Sequence, residues 1–334
     1  MPEQKRGAHM SRGMFEFIKN ESSYKDADKK WQVELLKSDR FWYDLVIDPP
    51  DGFDVKKQIS DYLKDLQAVL KSQVDKRFVY FLGVRKRVRF SMKQKPRYSF
   101  FGDQLNLYVT IGRSDKIIRI KTKIRDPQSG RTIKPRIEVS ERLITICVSE
   151  SEKISMSIHD FLLQCSIDLG IDTEVHYVGS TQNPATRPLN RIHRGFSDMV
   201  YRAPNEEYDY FVYYNLFKVI SITESSDSSP HFVVANSMID EIGVKEEGKI
   251  IENVIIKYFR AKSQEENKEA EEGELRNTLL LLAHKHKIKS ISVLLEMEDP
   301  TEHFRFFSRS VPSSDRHKFV CRIQDGTVEL TVED

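Results

Sequence analysis

The sequence predicts an α+β protein of two domains, a basic β-rich domain over residues 14–150 and a second unit of strands and helices over 151–334. Three observations carry this expectation. A chain of 334 residues is long enough to bury two cores. One amphipathic helical repeat is followed by several short strand-like runs. The cations, finally, crowd into a single segment of an otherwise acidic chain.

Residues 1–13 are set aside as a tail or tag, since Gly7-Ala8-His9-Met10 is as compatible with a cloning scar as with native sequence. Between 14 and 45, Trp31, Val33, Leu35, Leu36, Phe41, Trp42 and Leu45 are irregularly spaced but apolar enough to pack. Pro49-Pro50-Asp51-Gly52 makes a turn. Val55, Ile59, Tyr62, Leu63, Leu66, Val69 and Leu70 then recur at three- and four-residue steps, which predicts an amphipathic helix. Runs at 78–84, 105–111, 117–124, 137–139 and 143–148 predict strands, broken at Gly102-Asp103, Ser114-Asp115, Asp126-Pro127 and Ser129-Gly130. Further on come a short helix or mixed segment at 158–165, a strand at 175–179 and a strongly β-prone run at 208–220. A helix opening at Gly248, another at 275–282 and strands at 288–295, 304–307, 319–323 and 328–332 complete the chain. The Glu- and Lys-dense stretch 263–274 reads as a solvated helix face or a mobile insertion.

Composition excludes several classes. With 39% hydrophobic, 31% charged and 10% aromatic residues the chain is expected to fold rather than stay disordered. No apolar run approaches the roughly 18 residues needed to cross a bilayer, and no secretory core is present, so a cytoplasmic protein with no membrane partner is expected. Cys147, Cys165 and Cys321 are too scattered for a disulfide framework or structural zinc. There is no phosphate-cradling glycine loop and no Gly-x-Ser-x-Gly elbow. His284 and His286, at i and i+2, point to different helix faces and make a poor metal pair.

The net charge of +2 conceals an asymmetry: residues 71–136 hold 19 Lys and Arg against four acids. Within them, Arg85, Lys86, Arg87, Arg89, Lys93, Lys95 and Arg97 alternate with apolar and aromatic residues. On a strand that alternation places Arg85, Arg87 and Arg89 on one face, a guanidinium row suited to a phosphate backbone. The competing expectation is an edge strand that uses charge to block aggregation.

Residues 175–195 read Val-His-Tyr-Val-Gly-Ser-Thr-Gln-Asn-Pro-Ala-Thr-Arg-Pro-Leu-Asn-Arg-Ile-His-Arg-Gly. A strand ending Tyr177-Val178-Gly179, an Asn-containing turn, then Arg187 and His193 resembles the second signature of the GIY-YIG nucleases. The match falls on Tyr177, Gly179, Thr181, Asn183, Arg187 and His193. Downstream, Glu252 lies in the apolar run 250–259, where that family carries its metal-ligating glutamate. A carboxylate in such a run requires a cation beside it, a metal or an arginine. The first signature strand, Gly-Ile-Tyr, belongs about a dozen residues before Tyr177, yet 163–167 is Leu-Gln-Cys-Ser-Ile and contains no tyrosine.

The resemblance implies a small sheet flanked by helices in the C-terminal half and a metal-dependent endonuclease acting on DNA, with RNA as a second possibility. Catalytic roles fall to Tyr177, Arg187, His193 and Glu252, with Mg²⁺ (or Mn²⁺) on Glu252. Arg187 would grip the phosphate, and Tyr177 or His193 would handle the proton. Restriction, repair and phage defence each fit such an enzyme. The alternative is a catalytically inactive nucleic-acid-binding or scaffold protein, for which the absent first-signature tyrosine argues.

Overall fold

The protein was analysed as a computed structural model, which describes residues 12–73, 76–126, 128–186, 189, 194–224, 231–261, 268–297, 301–324 and 327–333. After a short helix α1 (Ser22–Lys25), the irregular apolar segment becomes one long strand, β1 (Asp28–Trp42), alternately buried from Lys29 to Val33. Helix α2 (Asp44–Ile47) follows, then α3 (Val55–Gln73), the helix its periodicity predicts, burying Ile59 and Leu63. Strand β2 (Phe78–Lys86) is buried almost throughout.

A β-rich unit then interrupts the main sheet. Strands β3 (Val88–Phe90), β4 (Arg97–Tyr98), β5 (Leu105–Ile111) and β6 (Ile118–Thr122) form one small sheet. Strands β7 (Ile124–Arg125) and β8 (Thr132–Ile133) form a ribbon, and β9 (Arg136–Val139), β10 (Leu143–Cys147) and β11 (Lys153–Ser157) a third sheet. Ser157 caps helix α4 (Ile158–Gln164), its hydroxyl accepting from the Asp160 amide. The chain continues through β12 (Thr173–Thr181), α5 (Arg194–Arg202), β13 (Tyr208–Glu224), β14 (Val233–Ala235) and α6 (Asn236–Ile239). Helices α7 (Val244–Phe259) and α8 (Lys268–Lys285) precede β15 (Ile288–Glu296), β16 (Phe306–Phe307), β17 (Arg316–Gln324) and β18 (Thr327–Glu333).

Nine strands make the main sheet, in the order β16-β12-β2-β13-β1-β15-β17-β18 with β14 on β13. The α+β class holds. The expected division at residue 150 does not, because β1 and β2 lie in the same sheet as β12, β13 and the closing strands. Residues 88–157 are instead an insertion between two neighbouring strands, β2 and β12.

Period-two alternation sorts each strand between the two faces. On one face Phe78, Tyr80, Leu82 and Val84 of β2 pack with Leu63 of α3 and Phe196 and Met199 of α5. On the other, Val79 and Phe81 meet Val254 and Phe259 of α7, and this core continues into the insertion through Val88, Leu107 and Ile144. The shared core is why the insertion and the sheet are one packed body.

Candidate functional site

The niche around Tyr177 is built by strand pairing and glycine. Antiparallel β12 and β2 set Gly179 opposite Tyr80 and Tyr177 opposite Leu82. The register slips between Val175 and Tyr177, a bulge at His176. Without it, Tyr177 would share the α7 face with Val175; the extra residue turns it to the α5 face, the redirection that bulges perform. There its ring meets that of Tyr80, centroids 6.0 Å apart. A Cβ on Gly179 would stand 2.6 Å from the Tyr80 hydroxyl, and one on Gly195 of α5 2.6 Å from the Tyr177 ring. Both glycines therefore hold open the space the two phenols fill.

Tyr80, whose ring meets that of Tyr177, comes from the far side of the insertion. Spacing along the chain could not find it, because residues 88–157 separate two strands that are neighbours in space. The available signal was the apolar run 78–84 with Tyr80 within it.

Arg187 and His193 lie outside the described residues. Their flanks are anchored on the tyrosine face: Ala185 and Leu189 are buried in the same core, and the Tyr214 hydroxyl donates to the Pro184 carbonyl at 3.1 Å. Gln67 of α3 donates to the Gln182 carbonyl, fixing the turn after β12.

Glu252 reaches the site from α7, on the opposite face of the sheet. Ser180 Oγ donates to its Oε2 at 2.7 Å, and Lys249 Nζ stands 3.6 Å from the same oxygen. The cation that a buried carboxylate demands is therefore Lys249, one helical turn away. Tyr177 and Glu252 do not share a face. Strand β16 pairs with β12 at Thr173 and Glu174.

The expected guanidinium row is corrected. Arg85 is fully buried: it donates to Glu302 Oε1 at 2.8 Å, to the Glu302 carbonyl at 2.6 Å and to Thr173 Oγ1 at 3.3 Å. It cannot touch a phosphate in the folded protein. Burial pushes the Arg85 pKa down and that of Glu302 up, both toward the neutral forms. Lys86 pairs with Glu207, Arg87 lies 3.8 Å from Glu141, and Arg89 binds Asp209 at 2.7 Å. Alternation fails because β2 ends at Lys86 and a new strand begins at Val88. Lys93, Lys95 and Arg97 are exposed, Arg97 donating to the Tyr108 hydroxyl at 3.0 Å and Lys93 lying 3.6 Å from Asp115.

A cleft of about 600 Å³ lies where the insertion meets the sheet, lined by Asp44, Arg87, Arg89, Arg142, Phe196 and Tyr210 among others. Beneath it, buried Asp209 accepts from the Val88 amide and Arg89 and contacts His159 Nε2 at 2.8 Å. Burial, then the neighbouring charge of Asp209, push the Asp44 carboxyl up to about 7. The cleft can hold a proton near neutrality, but its arginines are balanced by Asp48, Glu141 and Glu206.

Among the described residues no group of three His, Cys, Asp or Glu could hold a metal, and no helix is long and apolar enough to cross a membrane. Comparison with protein-family models finds no match, and comparisons with curated proteins and with solved structures find none.

Proposed function

We propose that this chain is a metal-dependent endonuclease that hydrolyses phosphodiester bonds in DNA. The observation that carries the proposal is the Tyr80–Tyr177 pair, set on adjacent antiparallel strands and fitted between Gly179 and Gly195. In that reading Tyr80 would stand for the first-signature tyrosine, whose absence was the main argument for an inactive protein.

Phosphodiester hydrolysis needs an oriented water, charge neutralisation at the phosphoryl oxygens and stabilisation of the leaving oxygen. The donor set around Glu252 suits one hard divalent ion: a single carboxylate, with Ser180 fixing one oxygen, and water for the remaining positions. When bound there, Mg²⁺ or Mn²⁺ would supply Lewis acidity. The side chains do the rest. Tyr177 orients the water or takes its proton, Tyr80 holds the Tyr177 ring in place, and Ser180 fixes the Glu252 carboxylate. Arg187 grips the phosphate, and His193 is the rival for the proton.

A binding-only protein is the second reading, and the Lys249 contact favours it, since an ammonium already answers the Glu252 charge. Incubation with supercoiled and linear DNA, with Mg²⁺, Mn²⁺ or EDTA, separates the two. The proposal expects metal-dependent cleavage that falls about 10²–10⁴-fold in Tyr177→Phe and collapses in Glu252→Gln while binding persists. Binding without cleavage under every metal would leave the second reading standing alone.

A further inference from the structure

The cations that alternation placed on 85–89 have a true counterpart elsewhere in the insertion. Across β6 and into β7, Arg119, Lys121, Lys123 and Arg125 are exposed, whereas Ile120 and Ile124 between them are buried in the core. They form a row about 20 Å long at the strand rise of ~3.3 Å per residue. Among the described residues none of the four is in an ion pair, in contrast to Lys86, Arg87 and Arg89. The nearest acid in sequence, Asp126, is turned into its own loop, accepting from the Gln128 and Ser129 amides.

Sheet register widens the row. Lys121 pairs with Asn106, and Asn106 with Arg97, so Arg97 joins the same outward face, and Arg119 lies opposite Tyr108. The loop after β4 carries Phe100 and Phe101, 93% and 91% exposed, their rings 4.8 Å apart and edge to face. That loop re-enters β5 at Leu105, which pairs with Thr122. The two phenyl rings thus lie at the end of the sheet from which Lys123 and Arg125 continue. Scattered apolar exposure is ordinary, but two adjacent, almost fully exposed rings beside five cations fit the combination of backbone neutralisation and base stacking.

We infer that this face of the insertion, Arg97, Arg119, Lys121, Lys123 and Arg125 with Phe100 and Phe101, is a binding surface for single-stranded DNA. It rests on the DNA reading above for the choice of sugar, not on cleavage. Single strands are favoured over duplex because a duplex keeps its bases stacked and leaves the two rings without a partner.

The test is fluorescence anisotropy of the full chain with a labelled single strand of about 20 nucleotides, in EDTA, from about 50 to 200 mM salt. Replacing Arg119, Lys121, Lys123 and Arg125 by Ala should reduce the salt slope by about three, at ~0.7 per single-strand phosphate contact. Phe100→Ala with Phe101→Ala should weaken binding about tenfold or more and leave the slope unchanged. All six side chains are exposed, so the melting temperature should not move. An unchanged slope, equal affinity for the duplex, or preference for an RNA of the same sequence would each overturn the assignment. EDTA removes cleavage from the readout. Loss of nuclease activity alone would not touch this surface.

Discussion

Arg85→Met replaces a guanidinium at 1% exposure with an apolar chain of similar length. Three donated hydrogen bonds are lost, to the Glu302 carboxylate, the Glu302 carbonyl and Thr173. The more serious consequence is that Glu302, itself 1% exposed, loses its countercharge while the Leu169 and Ile171 amides, at 2.6 and 3.0 Å, still donate to it. Removing one member of a buried pair costs about 3–5 kcal/mol, because the survivor stays desolvated without its countercharge. Urea unfolding should show that loss as a lower midpoint at unchanged m. Adding Glu302→Gln removes the stranded charge while retaining an oxygen for the two amides, so the double variant should be more stable than Arg85→Met alone. At temperatures where Arg85→Met is folded, the salt slope of DNA binding should equal that of wild type. A loss below about 1 kcal/mol, or a reduced slope at unchanged stability, would refute the assignment of Arg85 to the core and restore it to the binding face.

Acid should destabilise the fold. Burial lowers His159 and His317 to about 4 and His303 well below its ordinary value, so below the unfolded value of about 6.5 the unfolded chain binds the extra protons and stability falls with pH. Asp44, raised to about 7, works in the opposite sense and offsets one of the three protons, leaving a slope on the order of 2 kcal/mol per pH unit between about pH 5 and 6; flat unfolding midpoints across that range would sink the claim. Gly195→Ala should cost about 1–3 kcal/mol by thermal melting and remove cleavage, since a Cβ 2.6 Å from the Tyr177 ring forces α5 off the sheet. A Gly195→Ala variant as stable and active as wild type would show that the niche has slack.

Much of the fold was legible wherever the signal is local. The three- and four-residue repeat of 55–70 gave α3, and the β-prone run at 208–220 lies within β13. The helix expected to open at Gly248 begins one turn earlier, at Val244, where Glu246 and Glu247 favour a helix start. The irregular spacing of 31–45 hid β1, because a strand whose later residues are half-buried on both faces does not alternate cleanly. At the site, Tyr177 and Gly179 could be read as a motif because both lie on one strand.

The sequence by itself determined which residues share a helix face or a strand face, because those periods are properties of the backbone and need no partner. It also determined that a strongly basic segment lies between the helix and the second half of the chain. Only the tertiary structure decided which face meets water and which strand lies beside which. Arg85 and Arg119 carry the same charge on comparable strands. One is sealed against Glu302 because β12 and the Glu302 turn cover it, and the other is open because β6 has only the core beneath it. Tyr80 reaches Tyr177 for the same reason: strand pairing is set by the burial of both sheet faces at once, and residues 88–157 can loop out between the two strands at modest entropic cost.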